Sequence, residues 1–131
     1  MIDFTNNVFY NWGGDPNANH AKEAPFVGKG RIDALAAGYN ADLNKVVAYN
    51  FVNNAYKRGP DSRAALILCE HDQAARAFID GNAVDGRVPA DQWSLVACNP
   101  PPNYRLSVPL PLAVATLETP ATAFARVLAK A

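Results

Sequence analysis

Short runs of apolar and β-forming residues alternate with paired asparagines along the chain. The runs IDFT and VFY flank Asn6 and Asn7, and the runs VVAYNFV and AY flank Asn53 and Asn54. Runs rich in β-branched and aromatic residues predict short strands. Asparagine is the residue other than glycine that best tolerates the left-handed backbone of a sharp bend. The pattern therefore predicts a strand, a bend and a second strand at each asparagine pair.

This strand–bend–strand unit occurs three times. Two copies read Phe-x-Asn-Asn-x-aromatic, and the third, IDGNAV, is weaker; their anchoring asparagines Asn7, Asn54 and Asn82 are 47 and 28 residues apart. Such spacings are typical of repeat architectures, and stacked copies would let the asparagine amides hydrogen-bond along the stack. The repeat predicts an all-β fold, a right-handed parallel β-helix (a partial solenoid), with these three residues as a structural ladder. Two separate hairpin turns are the alternative, although Asn-Gly would be expected there.

Turn, proline and capping signals organise the rest of the chain, which we interpret as a single domain, 1–131. Residues 15–44 show no strand period and predict a long loop excursion. Residues 99–118 contain five prolines, which predict an extended segment because proline cannot continue an interior strand or helix. Thr119 and Pro120 suit the N-cap and first position of a helix at 119–130. Its apolar stripe is expected to pack on the solenoid or to cover its C-terminal end.

These segments resemble blocks of a known family. The sequence DFTNNVFYNWG at 3–13 is similar to a block in bacterial pectate lyases of polysaccharide lyase family 1. FVNNAYKRGP at 51–60 resembles the next block, in which the family usually has proline in place of Arg58. GNAVDG at 81–86 with DQW at 91–93 resembles a third block, and 119–128 resembles the terminal helix. Four blocks in the same order span nearly the whole chain, and the first two are the more specific.

The resemblance implies a reaction and its cofactor. Pectate lyases cleave polygalacturonate (pectate) by β-elimination outside the cell, with calcium bridging acidic side chains and substrate carboxylates and an arginine acting as base. In the family, the calcium ligands and this arginine belong mainly to coils that precede the block at 3–13. No catalytic residue or calcium ligand is therefore transferred to this chain. We expect a C-terminal portion of a pectate-lyase-like protein, weakly active or inactive alone, with a missing N-terminal β-helix portion as a candidate partner.

Composition and charge argue against two other classes of function. The chain has 12 Lys and Arg against 12 Asp and Glu, so its formal net charge is zero. Nucleic-acid binding is driven by clustered cations, so we expect no nucleic-acid partner. No apolar run approaches the roughly 20 residues of a membrane span. No signal peptide precedes the first strand motif, which leaves open the secreted location that the resemblance implies.

Candidate ligand contacts are few. Lys57 and Arg58 follow the second bend, where they would meet an acidic sugar, because arginine recognises carboxylates in bidentate geometry. A solvated turn pair is the favoured alternative. Trp12 is a candidate for stacking on a sugar ring, with core packing as its favoured alternative. Three aspartates match no calcium-loop spacing and are interpreted as turn residues: Asp80, Asp85 and Asp91.

Two further hypotheses remain open at this point. One is a non-catalytic module that binds acidic polysaccharide through a face with Lys57 and Arg58. The other is a structural remnant of a split or truncated lyase. Cys69 and Cys98 would pair in an oxidising compartment, or would remain two separate buried thiols.

Overall fold

The structure is a computed structural model that describes residues 2–11, 47–60, 62, 68–69, 75–97, 102–112 and 116–130. The predicted excursion at 15–44 lies outside these residues. Within them the chain forms eight short strands, one 3-10 helix and one α-helix. In chain order these are β1 (Ile2–Thr5), β2 (Val8–Tyr10), β3 (Val47–Val52), β4 (Ala55–Lys57), β5 (Leu68–Cys69), β6 (Ala75–Asp80), β7 (Ala83–Val84), the 3-10 helix (Gln92–Leu95), β8 (Val96–Ala97) and α1 (Pro120–Leu128).

The strands pair in parallel into three small sheets. The first sheet has the order β1-β3-β6, the second has the order β2-β4-β7, and the third pairs β5 with β8. Equivalent positions of the motif copies lie opposite one another: Phe4 pairs with Phe51, and Phe9 pairs with Tyr56. Because corresponding strands lie side by side in both larger sheets, the asparagine bends that connect those sheets also lie side by side.

The prediction of a right-handed parallel β-helix is wrong. The described residues form two three-stranded parallel sheets, one two-stranded pair and a single helix, and they do not form a solenoid. A solenoid needs a run of similar repeats in which each coil stacks on the next, whereas this motif has three copies at unequal spacing. Within the described residues each larger sheet has three strands. Beyond β6 the chain adds a single bridge, in which Ala77 N donates to Tyr104 O at 2.7 Å and Leu106 N donates to Ala77 O at 2.8 Å.

A row of amide side chains joins the three bends. Nδ2 of Asn7 donates to Oδ1 of Asn54, and Nδ2 of Asn54 donates to Oδ1 of Asn82, both at 2.9 Å. The backbone N–H groups of Asn7 and Asn54 donate to the same two oxygens at 3.0 Å. The row ends on Gln92, whose Oε1 accepts from the backbone N of Asn82 at 2.8 Å and from its Nδ2 at 3.2 Å. Asn54 and Asn82 are completely buried, so their polar groups depend on these partners.

The two residues at each bend have different roles. The first residue has a left-handed backbone, with φ of 57° at Asn6, 55° at Asn53 and 65° at Gly81. The second residue supplies the amide of the row. In the third copy, glycine replaces the first asparagine, and a Cβ at Gly81 would collide with Oδ1 of Asn53. Glycine is therefore required at this bend both by its backbone conformation and by the space that the neighbouring side chain occupies.

Aromatic side chains fill the space between the sheets. The ring centroids of Phe9 and Tyr56 lie 4.5 Å apart, and the rings of Phe4 and Tyr49 meet nearly at right angles with 6.1 Å between centroids. The hydroxyl groups of Tyr49 and Tyr104 hydrogen-bond to each other, so the bridge beyond β6 is tied into the core. Tyr56 and Tyr104 are among the largest fully buried side chains. Aromatic pairs of this kind dominate the burial of a small core.

Two further asparagines hold the C-terminal segments against the first sheet. The buried amide of Asn50 accepts from Leu110 N at 2.9 Å and donates to Leu110 O at 3.1 Å, so one side chain satisfies both polar groups of a residue in the proline-rich segment. Oδ1 of Asn6 accepts from Glu118 N at 3.1 Å, just before α1. Thr119 then caps the helix, its Oγ1 accepting from Thr122 N at 3.2 Å. These contacts set where α1 begins, and α1 packs against β2 and β4.

Replacing Gly81 by alanine should destabilise the fold more than the same change at Gly86. Both glycines have positive φ, 65° and 78°, so both alanines carry the left-handed penalty of about 1–2 kcal/mol. The added Cβ meets Asn53 at Gly81 but has nothing within 4 Å at Gly86. We expect urea unfolding to show a further loss of about 1–3 kcal/mol for Gly81→Ala, the usual range for overpacking. Equal losses in the two variants would contradict this account.

Asn54→Ala should be among the most destabilising substitutions in the described core. It removes the acceptor for two donors of Asn7 and the donor to Phe4 O, and it leaves Oδ1 of Asn82 with one donor fewer. Each buried polar group left unsatisfied costs about 1–3 kcal/mol, so chemical denaturation should show a loss of at least ~3 kcal/mol. Asn103→Ala, at an exposed turn residue, is the matched control and should stay within ~0.5 kcal/mol. A loss below ~1 kcal/mol for Asn54→Ala would show that the amide row is not needed for stability.

Candidate functional site

The helix α1 and the second sheet enclose a pocket of about 380 Å³. This volume lies in the lower part of the range for small-molecule sites, roughly 300–1,000 Å³. One side of the pocket consists of residues from β4, β7 and the turn after β7, and the other consists of the first turns of α1. The side chains that matter most for its chemistry are Lys57, Asp85, Val88, Pro120 and Phe124.

The position of α1 creates this pocket. Pro120 and Ala123 are the buried residues of the helix, and Phe124 beside them is half-buried. Residues three and four apart share one helix face, so this face lies against the sheet. Near the end of the helix, Nη2 of Arg126 donates to Oε2 of Glu118, which precedes the helix, at 2.8 Å. Hydrogen bonding to Glu118 and its negative charge raise the pKa of Arg126.

Asp85 is the centre of an ion cluster at the rim of the pocket. Nζ of Lys57 lies 3.7 Å from Oδ1 of Asp85, and Nη1 of Arg58 lies 3.3 Å from Oδ2. The backbone N of Arg58 also donates to Oδ1 at 3.0 Å. Two cations share one carboxylate, so the three side chains have one excess positive charge. The Lys57 and Arg58 side chains are 53% and 43% exposed, so solvent weakens the attraction and leaves both cations accessible to a ligand.

A tight turn places Asp85 where it meets both cations. Val84 and Arg87 exchange two backbone hydrogen bonds of 3.0 Å, so Asp85 and Gly86 form the two-residue loop of a hairpin. Their φ angles of 50° and 78° match the positive values that a type I′ turn requires at both positions. Aspartate and glycine are residues that adopt such angles readily. The sequence interpretation of Asp85 as a turn residue did not include its contact with the cations.

The structure brings some of the predicted site residues together and leaves others apart. Lys57 lines the pocket, and Arg58 lies beside it on the same carboxylate. Trp12 lies outside the described residues, as does Cys98, so neither the stacking role nor the pairing with Cys69 is tested. Asp91 has a different role from the rim residues: it caps the 3-10 helix, with its Oδ1 accepting from Trp93 N at 3.0 Å. The ladder residues form the hydrogen-bonded row described above.

The apolar wall of the pocket was missed by the sequence analysis. The stripe on α1 was predicted to dock, and Phe124 does face the sheet. Two further members of the predicted stripe are open to solvent: Val127 is 40% exposed and Leu128 is 60% exposed. Ala131, the fourth member, lies outside the described residues. The helical spacing of Pro120 and Phe124 could have indicated one wall of the pocket. The opposite wall, with Val88, comes from a part of the chain that has no helical or strand period, so nothing in the sequence pattern indicated it.

Calcium, which the resemblance implies, finds no ligand set in the described residues. No group of three or more His, Cys, Asp or Glu side chains in that part of the chain is placed to hold a metal ion. Calcium takes six to eight oxygen ligands, whereas the Asp85 oxygens already face Lys57, Arg58 and a backbone N–H. The residues at the rim therefore do not fit the ion.

No protein-family model, curated protein or solved structure matches the chain. The likeness to pectate lyases therefore rests on the motif blocks in the sequence. Among the helices that the structure describes, none is long and apolar enough to cross a membrane.

Proposed function

We propose that the chain is a pectate-lyase-like protein that binds polygalacturonate and contributes little or no cleavage of its own. The proposal includes an extracellular setting. Calcium-dependent β-elimination is the reaction of the family, and this chain would perform it weakly or not at all. The observation that carries it is the motif repeat. The two specific blocks, at 3–13 and 51–60, are similar to consecutive blocks of that family, and their strands pair residue by residue in parallel.

Weak or absent cleavage is supported by the surroundings of three of the five arginines in the described residues. Arg58 pairs with Asp85, Arg126 pairs with Glu118, and the guanidinium of Arg105 lies 5.0 Å from the centroid of the Trp93 ring. An arginine that acts as a base must be placed at the proton it removes and must lose its own proton there. Partnership with Glu118 raises the pKa of Arg126 and favours its charged form instead. Arg58 is likewise occupied by a carboxylate, so these two side chains are better suited to binding than to proton abstraction.

Binding of an acidic polysaccharide is supported by the rim of the pocket. Lys57 and Arg58 are exposed and share a single carboxylate, so a sugar carboxylate can replace Asp85 as the partner of Arg58 in bidentate geometry. Galacturonate units repeat along the polymer, and several weak contacts on one chain raise the apparent affinity. A structural remnant without a ligand is the competing function, and it predicts no retention by the polymer.

The cleavage part of the proposal is tested by absorbance of the purified, folded protein with polygalacturonate. Elimination leaves a conjugated double bond in the product, so the signal is direct. We expect no rise that depends on calcium and disappears with chelator. A calcium-dependent rise would overturn this part of the proposal and would place an active site within these 131 residues.

The binding part is tested by retention on immobilised polygalacturonate at low salt. Asp85→Asn removes the carboxylate that competes with the ligand, and it should raise the affinity about two- to fivefold, the range expected for an exposed ion pair. Lys57→Gln combined with Arg58→Gln should abolish retention. Asp80→Asn, at an exposed aspartate that forms no ion pair with the other described residues, changes the net charge equally and serves as the control. If Asp80→Asn and Asp85→Asn strengthen retention equally, general charge and not the rim causes binding.

A further inference from the structure

The pocket beneath the charged rim has a chemistry that polysaccharide binding does not use. Its walls are mainly apolar, with Val88 on one side and Pro120 and Phe124 on the other. A polymer of hydrated, charged sugars would contact Lys57 and Arg58 at the surface without entering an apolar cavity. The pocket is therefore a second candidate binding site in this region, suited to a ligand other than the polysaccharide.

The volume limits the size of that ligand. An engineered protein cavity of roughly 150 Å³ with apolar walls takes up benzene, and this pocket has about 380 Å³. There is room for one six-membered ring together with a short aliphatic chain. The ring of Phe124 in the wall favours an aromatic ligand, because edge-to-face and offset contacts add to the free energy of burying the surface.

Charge determines which polar group the ligand has. Lys57 lies at the pocket, and the one carboxylate among the described lining residues, that of Asp85, is already shared by Lys57 and Arg58. The first turn of α1, from Pro120 onwards, forms part of the wall, and the partial positive charge of a helix N-terminus acts in the same direction. A carboxylate at the mouth would therefore be stabilised, whereas an ammonium group would be repelled.

We propose that this pocket binds a small amphiphilic carboxylate of the arylalkanoate class. The aromatic ring packs between Phe124, Pro120 and Val88, and the carboxylate meets Lys57 at the rim. This inference rests on the cavity and its charge. It shares Lys57 with the proposed binding of polygalacturonate but does not require that function.

The probe is 3-phenylpropanoate, titrated into the whole protein and followed by NMR through the methyl signals of Val88 and Ala121. Its amide, 3-phenylpropanamide, has the same shape without the charge, and 3-phenylpropylamine has the opposite charge. We expect the acid to bind about tenfold more tightly than the amide, the effect of one hydrogen bond to a charged group, and the amine not to bind. Equal binding of acid and amide would reduce the site to an apolar cavity and overturn the assignment of a carboxylate ligand.

Variants separate the two halves of the pocket. Lys57→Met keeps the aliphatic stem but removes the charge, so acid and amide should then bind equally. Lys130→Met, at an exposed lysine beyond the end of α1, should leave the tenfold preference unchanged. Phe124→Ala should weaken the binding of the acid and of the amide equally, but it also removes part of the contact between α1 and the sheet. Val88→Ala, on the opposite wall and 53% exposed, is a second test with less effect on folding.

The result overturns the proposal if 3-phenylpropanoate shifts no signal at millimolar concentration, or if Lys57→Met leaves the preference for the acid intact. Retention by polygalacturonate is measured separately on the unsubstituted protein. Absence of retention with intact binding of 3-phenylpropanoate would remove the polysaccharide function and keep the pocket. Intact retention without binding of the small acid would do the reverse.

Discussion

The amide of Asn54 is the contact on which both larger sheets depend. Its oxygen accepts two hydrogen bonds from Asn7, and its nitrogen donates to Phe4 O and to Asn82. The group is completely buried, and hydrogen bonds in such surroundings are electrostatically stronger and reinforce one another along a row. A shift of one strand by one residue would turn its side chains to the opposite face and would also take an asparagine out of the row. The amides therefore fix the register that the apolar faces alone would specify less sharply.

That register extends outward to the candidate site. With the bends aligned, the ends of β4 and β7 lie side by side, and Lys57 comes close to Asp85 in the following turn. The other side of the same bends sets the start of α1, because Asn6 accepts from the backbone of Glu118. The pocket is the space left between a helix fixed at its first turn and a sheet fixed by its amide row. Its rim and its wall thus have one structural origin although they come from distant parts of the sequence.

Local features of the sequence predicted much of this arrangement, whereas contacts between residues far apart in the sequence were not predicted. The asparagine pairs placed the strands and bends, since strand period and backbone preference act within a few residues. They did not predict how many copies stack, so the inferred solenoid was wrong, and they gave no signal for Gln92, which enters the row from a 3-10 helix. At the site, Lys57 and Arg58 were identified by residue type. Their carboxylate partner is 27 residues beyond Arg58, and only the folded chain shows that the two meet.

The amide row also has a direction. Each side-chain nitrogen points toward the later residue and each oxygen toward the earlier one, from Asn7 through Asn82 to Gln92. Turning one amide over would place two oxygens together on one side and two N–H groups together on the other. The members are therefore all oriented alike or the row is broken, and their aligned dipoles make its two ends chemically different. Gln92 ends the row by donating its own N–H groups to the carbonyls of Asn82 and Pro89. These two hydrogen bonds fix the orientation of the last amide and therefore the direction of the whole row.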